Sequence, residues 1–95
     1  MSYNPFSLSG KIVLVTGAAS GIGRATAIEC SKMGASMIIT DIREDGLTET
    51  LHLLEKGDGE HRMITCDLTI DEDLERMMTF LPVLDGMVNN AGITK

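Results

Sequence analysis

Three glycines, Gly17, Gly21 and Gly23, follow directly on the apolar, β-branched run Ile12–Thr16. Glycine at this spacing builds a loop in which backbone N–H groups can approach an anion closely. From Ile22 onward the chain reads as a helix, so the positive end of a helix dipole faces the same place. The chemistry such a turn suits is a grip on a diphosphate, as in a dinucleotide. The spacing is Gly-x3-Gly-x-Gly, not the ordinary Gly-x-Gly-x-x-Gly fingerprint. The glycine roles still map: Gly17 opens the tight turn, Gly21 lets backbone approach the phosphates, and Gly23 lets the helix sit close to the strand. Ala18 and Ala19 enlarge the loop and leave Ser20 free to bond a phosphate or ribose. A plain structural turn is the competing reading of any glycine-rich loop; its place between strand and helix favours binding.

Asp41 strengthens the case. It ends a second apolar run, Ser36–Asp41, 18 residues beyond Gly23. A carboxylate there can accept both hydrogen bonds of an adenosine ribose diol, and its charge repels a 2′-phosphate. NAD is therefore favoured over NADP. Arg43, two residues on, could bind a 2′-phosphate; with Asp41 in the ribose position it reads as an adenine-flanking or solvated side chain. A helix cap or solvated turn is the bland alternative for Asp41.

Composition narrows the classes. The chain has 95 residues, 43% apolar and 23% charged, with a net charge of −6. That is a soluble globular composition, and the negative charge argues against nucleic acid or an anionic membrane as partner. No apolar run approaches a membrane span, and the N-terminal residues lack a secretory pattern. Cys30 and Cys66 have no CxxC or Cys/His ligand spacing, so no metal site is expected and both read as reduced packing residues of a cytoplasmic protein. His52 and His61 read as isolated surface or half-buried histidines.

The elements that must position these residues alternate regularly. Strands are expected at Ile12–Thr16, Ser36–Asp41, 62–66 and 86–90. Helices are expected at 22–33, stopped by Gly34, at 45–56 with Leu47, Leu51 and Leu54 on one face, and between Thr69 and Pro82. Thr69 and Glu72 have capping-box spacing at the start of the third helix. Its stripe of Leu74, Met77, Met78 and Leu81 reads as core. Alternation of this kind predicts an α/β, Rossmann-type three-layer sandwich with a parallel sheet in the order 3-2-1-4. The switch point between strands 1 and 4 is where such a sheet binds its ligand, and the glycine turn opens onto it.

Thr16-Gly17-Ala18-Ala19-Ser20-Gly21-Ile22-Gly23 resembles the TGxxxGIG motif of the short-chain dehydrogenase/reductase family. Cys66-Asp67-Leu68-Thr69 is similar to that family's D-[VL]-T segment, and Leu84-Asp85-Gly86-Met87-Val88-Asn89-Asn90-Ala91-Gly92 to its LDxLVNNAG motif. The general look is closest to the 3-oxoacyl-acyl-carrier-protein reductase and hydroxysteroid dehydrogenase branch. The resemblance implies that Gly17, Ser20, Gly21, Ile22 and Gly23 line the pyrophosphate and ribose. It places Asp41 and Ile42 beside the adenosine ribose, Asp67 on the adenine amino group and Leu68 over the ring. Asn90, Ala91 and Gly92 would pass beneath the nicotinamide-side ribose, with Asn89 as a sheet-stabilising residue. One departure is the short span from Asp67 to Asn89, which falls around 80–84, away from the cofactor.

The resemblance also implies catalysis by Ser, Tyr and Lys, helped by Asn. None of these can be placed here. The sole tyrosine, Tyr3, precedes the first strand and has Ser7 four residues on. The expectation is thus the N-terminal part of a single NAD(P)-binding domain. The intact protein would interconvert an alcohol and a carbonyl as a homo-oligomer, dimer or tetramer. A sheet ending at the fourth strand would also expose an apolar edge. The other reading is an inactive nucleotide-binding or NAD-sensing module that dimerises through that edge.

Overall fold

The structure, a computed structural model, describes residues 7–57 and 59–90. The elements run β1 (Ile12–Thr16), α1 (Gly21–Lys32), β2 (Ser36–Asp41), α2 (Glu44–Leu53), β3 (Arg62–Thr65), α3 (Asp71–Phe80) and β4 (Gly86–Asn89). The four strands form one parallel sheet in the order β3-β2-β1-β4, as the alternation predicts. The β-branched runs IVLVT and SMIITD lie at its centre, and both are almost wholly buried. A central parallel strand covered on two faces needs such uninterrupted apolar sequence.

One face of the sheet carries Val13, Val15, Met37 and Ile39, packed with Ala27 of α1 and Leu47 of α2 into a single core. Small residues at Gly23 and Ala27 let α1 lie close to the strands. The step from β3 to β4 passes back across β2 and β1, so a right-handed crossover carries α3 to the opposite face. Leu14 and Ile38 of the central strands are buried, and Met77 is the buried residue of α3. β4 is fastened to β1 at both ends. At the start, Asp85 exchanges bonds with Ile12, Oδ2 accepting from Ile12 N–H and Asp85 N–H donating to the Ile12 carbonyl, each at 2.8 Å. At the end, the Thr16 hydroxyl donates to Asn89 Oδ1 (2.8 Å) and accepts from Asn90 N–H (2.9 Å).

Four sequence expectations need correction. The second helix stops at Leu53, not near residue 56. The cause is competition for Glu55. Its N–H donates to Ser31 Oγ (2.9 Å), while His61 Nε2 pairs with its carbonyl (2.6 Å). Leu54 turns extended (ψ 141) and still buries its side chain in the core. The Thr69–Glu72 capping box does not form. Thr69 bonds backward, its hydroxyl and N–H both donating to Asp67 Oδ1, and Ile70 takes the cap position. The α3 stripe is only partly core: Met77 is buried, but Met78 is 61% exposed. The third and fourth strands each end one residue early, leaving Cys66 and Asn90 just past the sheet. Gly34 does stop α1: its φ of +100° is the left-handed conformation of a helix stop, and its N–H returns to the Ser31 carbonyl.

No helix among the described residues is long and apolar enough to cross a membrane.

Candidate functional site

A cleft of about 540 Å³ opens at the carboxyl ends of the strands. It is lined by Gly17, Ser20, Gly21, Ile22, Thr40, Asp41, Ile42, Cys66, Asp67, Leu68, Thr69 and Asn90. Nine residues singled out from the sequence are thus brought together from β1, α1, β2, the segment after β3, and the end of β4. Gly23 lies behind the loop and not on the cleft wall. Ala91 and Gly92 fall outside the described residues.

The glycine loop has the backbone its sequence requires. Gly17 has φ +66° and Gly21 φ +58°, both in the left-handed region that favours glycine. Gly23 is needed for a different reason. A Cβ there would lie 2.1 Å from the Gly17 carbonyl oxygen and 3.0 Å from Asn90 Nδ2. Its bare backbone lets α1 begin against the loop. Ser20 precedes the helix in an extended conformation (φ −165°), and its side chain makes no capping bond. The hydroxyl is exposed toward the cleft, and the first-turn N–H groups of α1 have no partner within the helix. The donors that an anion requires are present together.

Two carboxylates form the far wall. Asp41 Oδ2 accepts from Ala19 N–H at 2.9 Å and Oδ1 from Arg43 N–H at 3.1 Å. Each oxygen keeps a further lone pair for a ligand hydroxyl. The backbone bonds fix the carboxylate plane in advance. Asp67 is oriented by Thr69, whose hydroxyl (2.6 Å) and N–H (2.9 Å) both donate to Oδ1. Those two bonds, the hydroxyl's first, hold the Asp67 carboxyl below its usual range, so it stays ionised. The Cys66 thiol beside it is pushed the other way, by burial and then by the charge of Asp73, and stays protonated near neutral pH. Among the described residues no group of acidic, His or Cys side chains is placed to hold a metal ion.

Sequence reasoning passed over a second layer. Arg24, on α1, is the busiest side chain near the loop. Its Nε donates to Thr50 Oγ1 (2.8 Å), and its Nη2 reaches the carbonyls of Ala19 (2.6 Å) and Gly46 (3.0 Å) and Glu49 Oε2 (3.1 Å). Thr50, fully buried on α2, donates to the Ala18 carbonyl at 2.6 Å. Gly46 clears the space, since a Cβ there would stand 2.8 Å from the Ala19 oxygen. The signal available in sequence was a Gly and a Thr four apart on one helix, too small for a core stripe.

The family model for short chain dehydrogenases matches residues 11–95. The chain belongs to that family. Among curated relatives, the chain is 42% identical over 89 residues to the 3-oxoacyl-[acyl-carrier-protein] reductase of Haemophilus influenzae, covering 93% of this chain and 37% of that protein. It is 34% identical over 89 residues to 7alpha-hydroxysteroid dehydrogenase of Escherichia coli, covering 90% and 35%. A solved hydroxysteroid dehydrogenase from Escherichia coli superposes with a TM-score of 0.82 at 33% identity, covering 93% of this chain and 39% of that one. A Pseudomonas aeruginosa RhlG/NADP active-site complex superposes with a TM-score of 0.78 at 32% identity, covering 94% and 37%. The chain spans about a third of the length of the curated relatives it matches. The Rossmann-type fold and the short-chain dehydrogenase resemblance expected from the motifs stand on these matches.

Proposed function

We infer that this chain supplies the dinucleotide-binding part of an NAD(P)-dependent oxidoreductase interconverting an alcohol and a carbonyl. The observation that carries this is the meeting of the α1 N-terminus, the glycine loop and Asp41 in one cleft with Asp67, Leu68 and Asn90. In this reading the first-turn N–H groups and Ser20 hold the diphosphate. Asp41 and Ile42 hold the adenosine ribose, Asp67 accepts from the adenine amino group, and Leu68 covers the ring. Asn90 lies under the second ribose. The bound cofactor would supply the hydride acceptor or donor; this chain binds and orients it.

NAD is the preferred form. A 2′-phosphate would have to approach Asp41, whose carboxylate is already anchored by two backbone donors. The name of the Pseudomonas aeruginosa structure specifies NADP, but that property belongs to its own chain. The substrate, on the relatives' names, falls among 3-oxoacyl thioesters, steroids and other secondary alcohols. Proton transfer is assigned to no residue of this chain. Cytoplasmic residence and a homo-oligomeric assembly complete the reading.

Titrating the intact protein with NADH and NADPH, followed by cofactor fluorescence, tests it. NADH should bind at least about tenfold more tightly, which corresponds to roughly 1.4 kcal/mol. Asp41→Ala should narrow the gap. Tighter binding of NADPH, or no binding of either, overturns the reading.

A further inference from the structure

All four backbone polar groups of Ala18 and Ala19 are already bonded inside the protein. Ala18 N–H donates to the Thr40 carbonyl (3.1 Å), and the Ala18 carbonyl accepts from Thr50. Ala19 N–H goes to Asp41, and the Ala19 carbonyl accepts from Arg24. The two alanines are themselves buried. The next residues, Ser20, Gly21 and Ile22, are exposed. The loop is therefore divided. One half is turned inward and satisfied by β2, α1 and α2, while the other half faces the cleft.

We propose that Arg24, supported by Thr50, is a positioning residue of the dinucleotide site: it pins the Ala18–Ala19 carbonyls toward α2 so that the N–H groups beyond them stay aimed at the phosphates. This rests on the dinucleotide reading above. A carbonyl left without a donor would rotate to find water, and the cleft is its nearest open space. Rotation of the Ala19–Ser20 peptide would bring a carbonyl oxygen where an anion needs an N–H. A guanidinium suits the task because its fixed fork reaches Thr50, Ala19 and Gly46 together, which a lysine ammonium cannot. The exposed ion pair to Glu49 is incidental, because that carboxylate is 72% exposed. Gly46 belongs to the same device, since any side chain there would push the Ala19 carbonyl away.

The role predicts which part of the cofactor loses affinity. In the intact protein, Arg24→Gln should weaken NADH and ADP by about tenfold, the scale of one charge-assisted hydrogen bond. Adenosine, which rests on Asp41, Asp67 and Leu68, should change less than about twofold. Thr50→Val should follow the same pattern, and Thr50→Ser, which keeps the hydroxyl, should bind ADP like the unaltered protein. Millimolar guanidinium should restore ADP binding to Arg24→Ala. Circular dichroism keeps the comparison to folded variants, and Arg24→Gln decides the matter if Thr50→Val does not fold. Equal losses for adenosine and ADP, or no loss for either, overturn the positioning role. Failure of the unaltered protein to bind NADH and ADP overturns the dinucleotide reading, and this role with it.

Discussion

The two faces of the sheet are built differently. On the α1/α2 face, Val15, Met37, Ile39 and Leu47 are completely buried, and Arg24 and Thr50 run a hydrogen-bonded network behind the glycine loop. On the α3 face only Met77 of the helix is buried, while Met78, Phe80, Val83 and Met87 are more than half exposed. Met87 shows the contrast most directly. It pairs in register with Leu14, which is 1% exposed, yet is itself 57% exposed. The glycine-loop side of the cleft, where the proposed function puts the phosphates, is therefore braced by tertiary packing. The side around Asp67, where the proposed function puts adenine, is held by a local turn closed by Thr69 and by Asp73, whose carboxylate accepts from Asp67 N–H. Interactions on the first side should be costly to break and those on the second cheap.

The largest effect is expected at the join of α1 and the loop. Gly23→Ala places a Cβ 2.1 Å from the Gly17 oxygen, a backbone atom that can move only if the loop moves. NADH affinity should fall by about a hundredfold, the cost of displacing binding groups by about an ångström. Affinity within about threefold of the unaltered protein would show that the loop shifts freely and that the bracing is unimportant. In the core, Leu47→Ala should destabilise by about 3 kcal/mol in chemical denaturation. Met77→Ala, on the thinner face, should cost about 2 kcal/mol, at the low end of such truncations. Equal losses would erase the contrast between the faces.

What could be read in the sequence follows the same division. Strand order and the cleft residues were legible because they are properties of short local patterns: β-branched runs, glycine spacing, a carboxylate at a strand end. Arg24 and Thr50 were not, because they meet only when α1 packs on α2, 26 residues apart in sequence, and the carbonyls they hold leave no mark on a sequence. The end of α2 was missed because it too is set by tertiary contacts. Glu55 is drawn out of the helix by Ser31 and His61, neither of them its neighbour in sequence. Thr69 misled by matching a capping-box spacing while sitting two residues from a stronger acceptor, the Asp67 carboxylate. Met78 was read as core because helical spacing marks a face without showing how much of that face is covered.

A smaller effect tests the adenine side through pH. The Thr69 hydroxyl holds the Asp67 carboxyl below its usual range. A lowered carboxyl pKa means that the ionised form, the one proposed to accept from adenine, persists as pH falls and is lost only when pH drops through that lowered value. Thr69→Val removes the hydroxyl, so the pKa rises toward the ordinary carboxylate range. The acid limb of NADH affinity should then move to higher pH, visible below about pH 5. Thr69→Ser should leave it in place. An unmoved limb in Thr69→Val, or a shift to lower pH, would detach Asp67 from adenine recognition.

The smallest effect is expected at Met78. At 61% exposure its side chain has little apolar area left to lose, although it sits one residue from buried Met77 on the same helix. Met78→Gln keeps the side-chain length and a good helix propensity, so stability should change by less than about 0.5 kcal/mol. Measured in the intact protein, a much larger loss would mean that Met78 is buried there against something that these residues do not supply. The α3 face would then be a covered face like its counterpart, and the asymmetry between the two sides of the sheet would belong to this stretch of chain alone. A loss within the expected range makes the asymmetry a property of the protein, with Met77 the one residue of α3 that is buried.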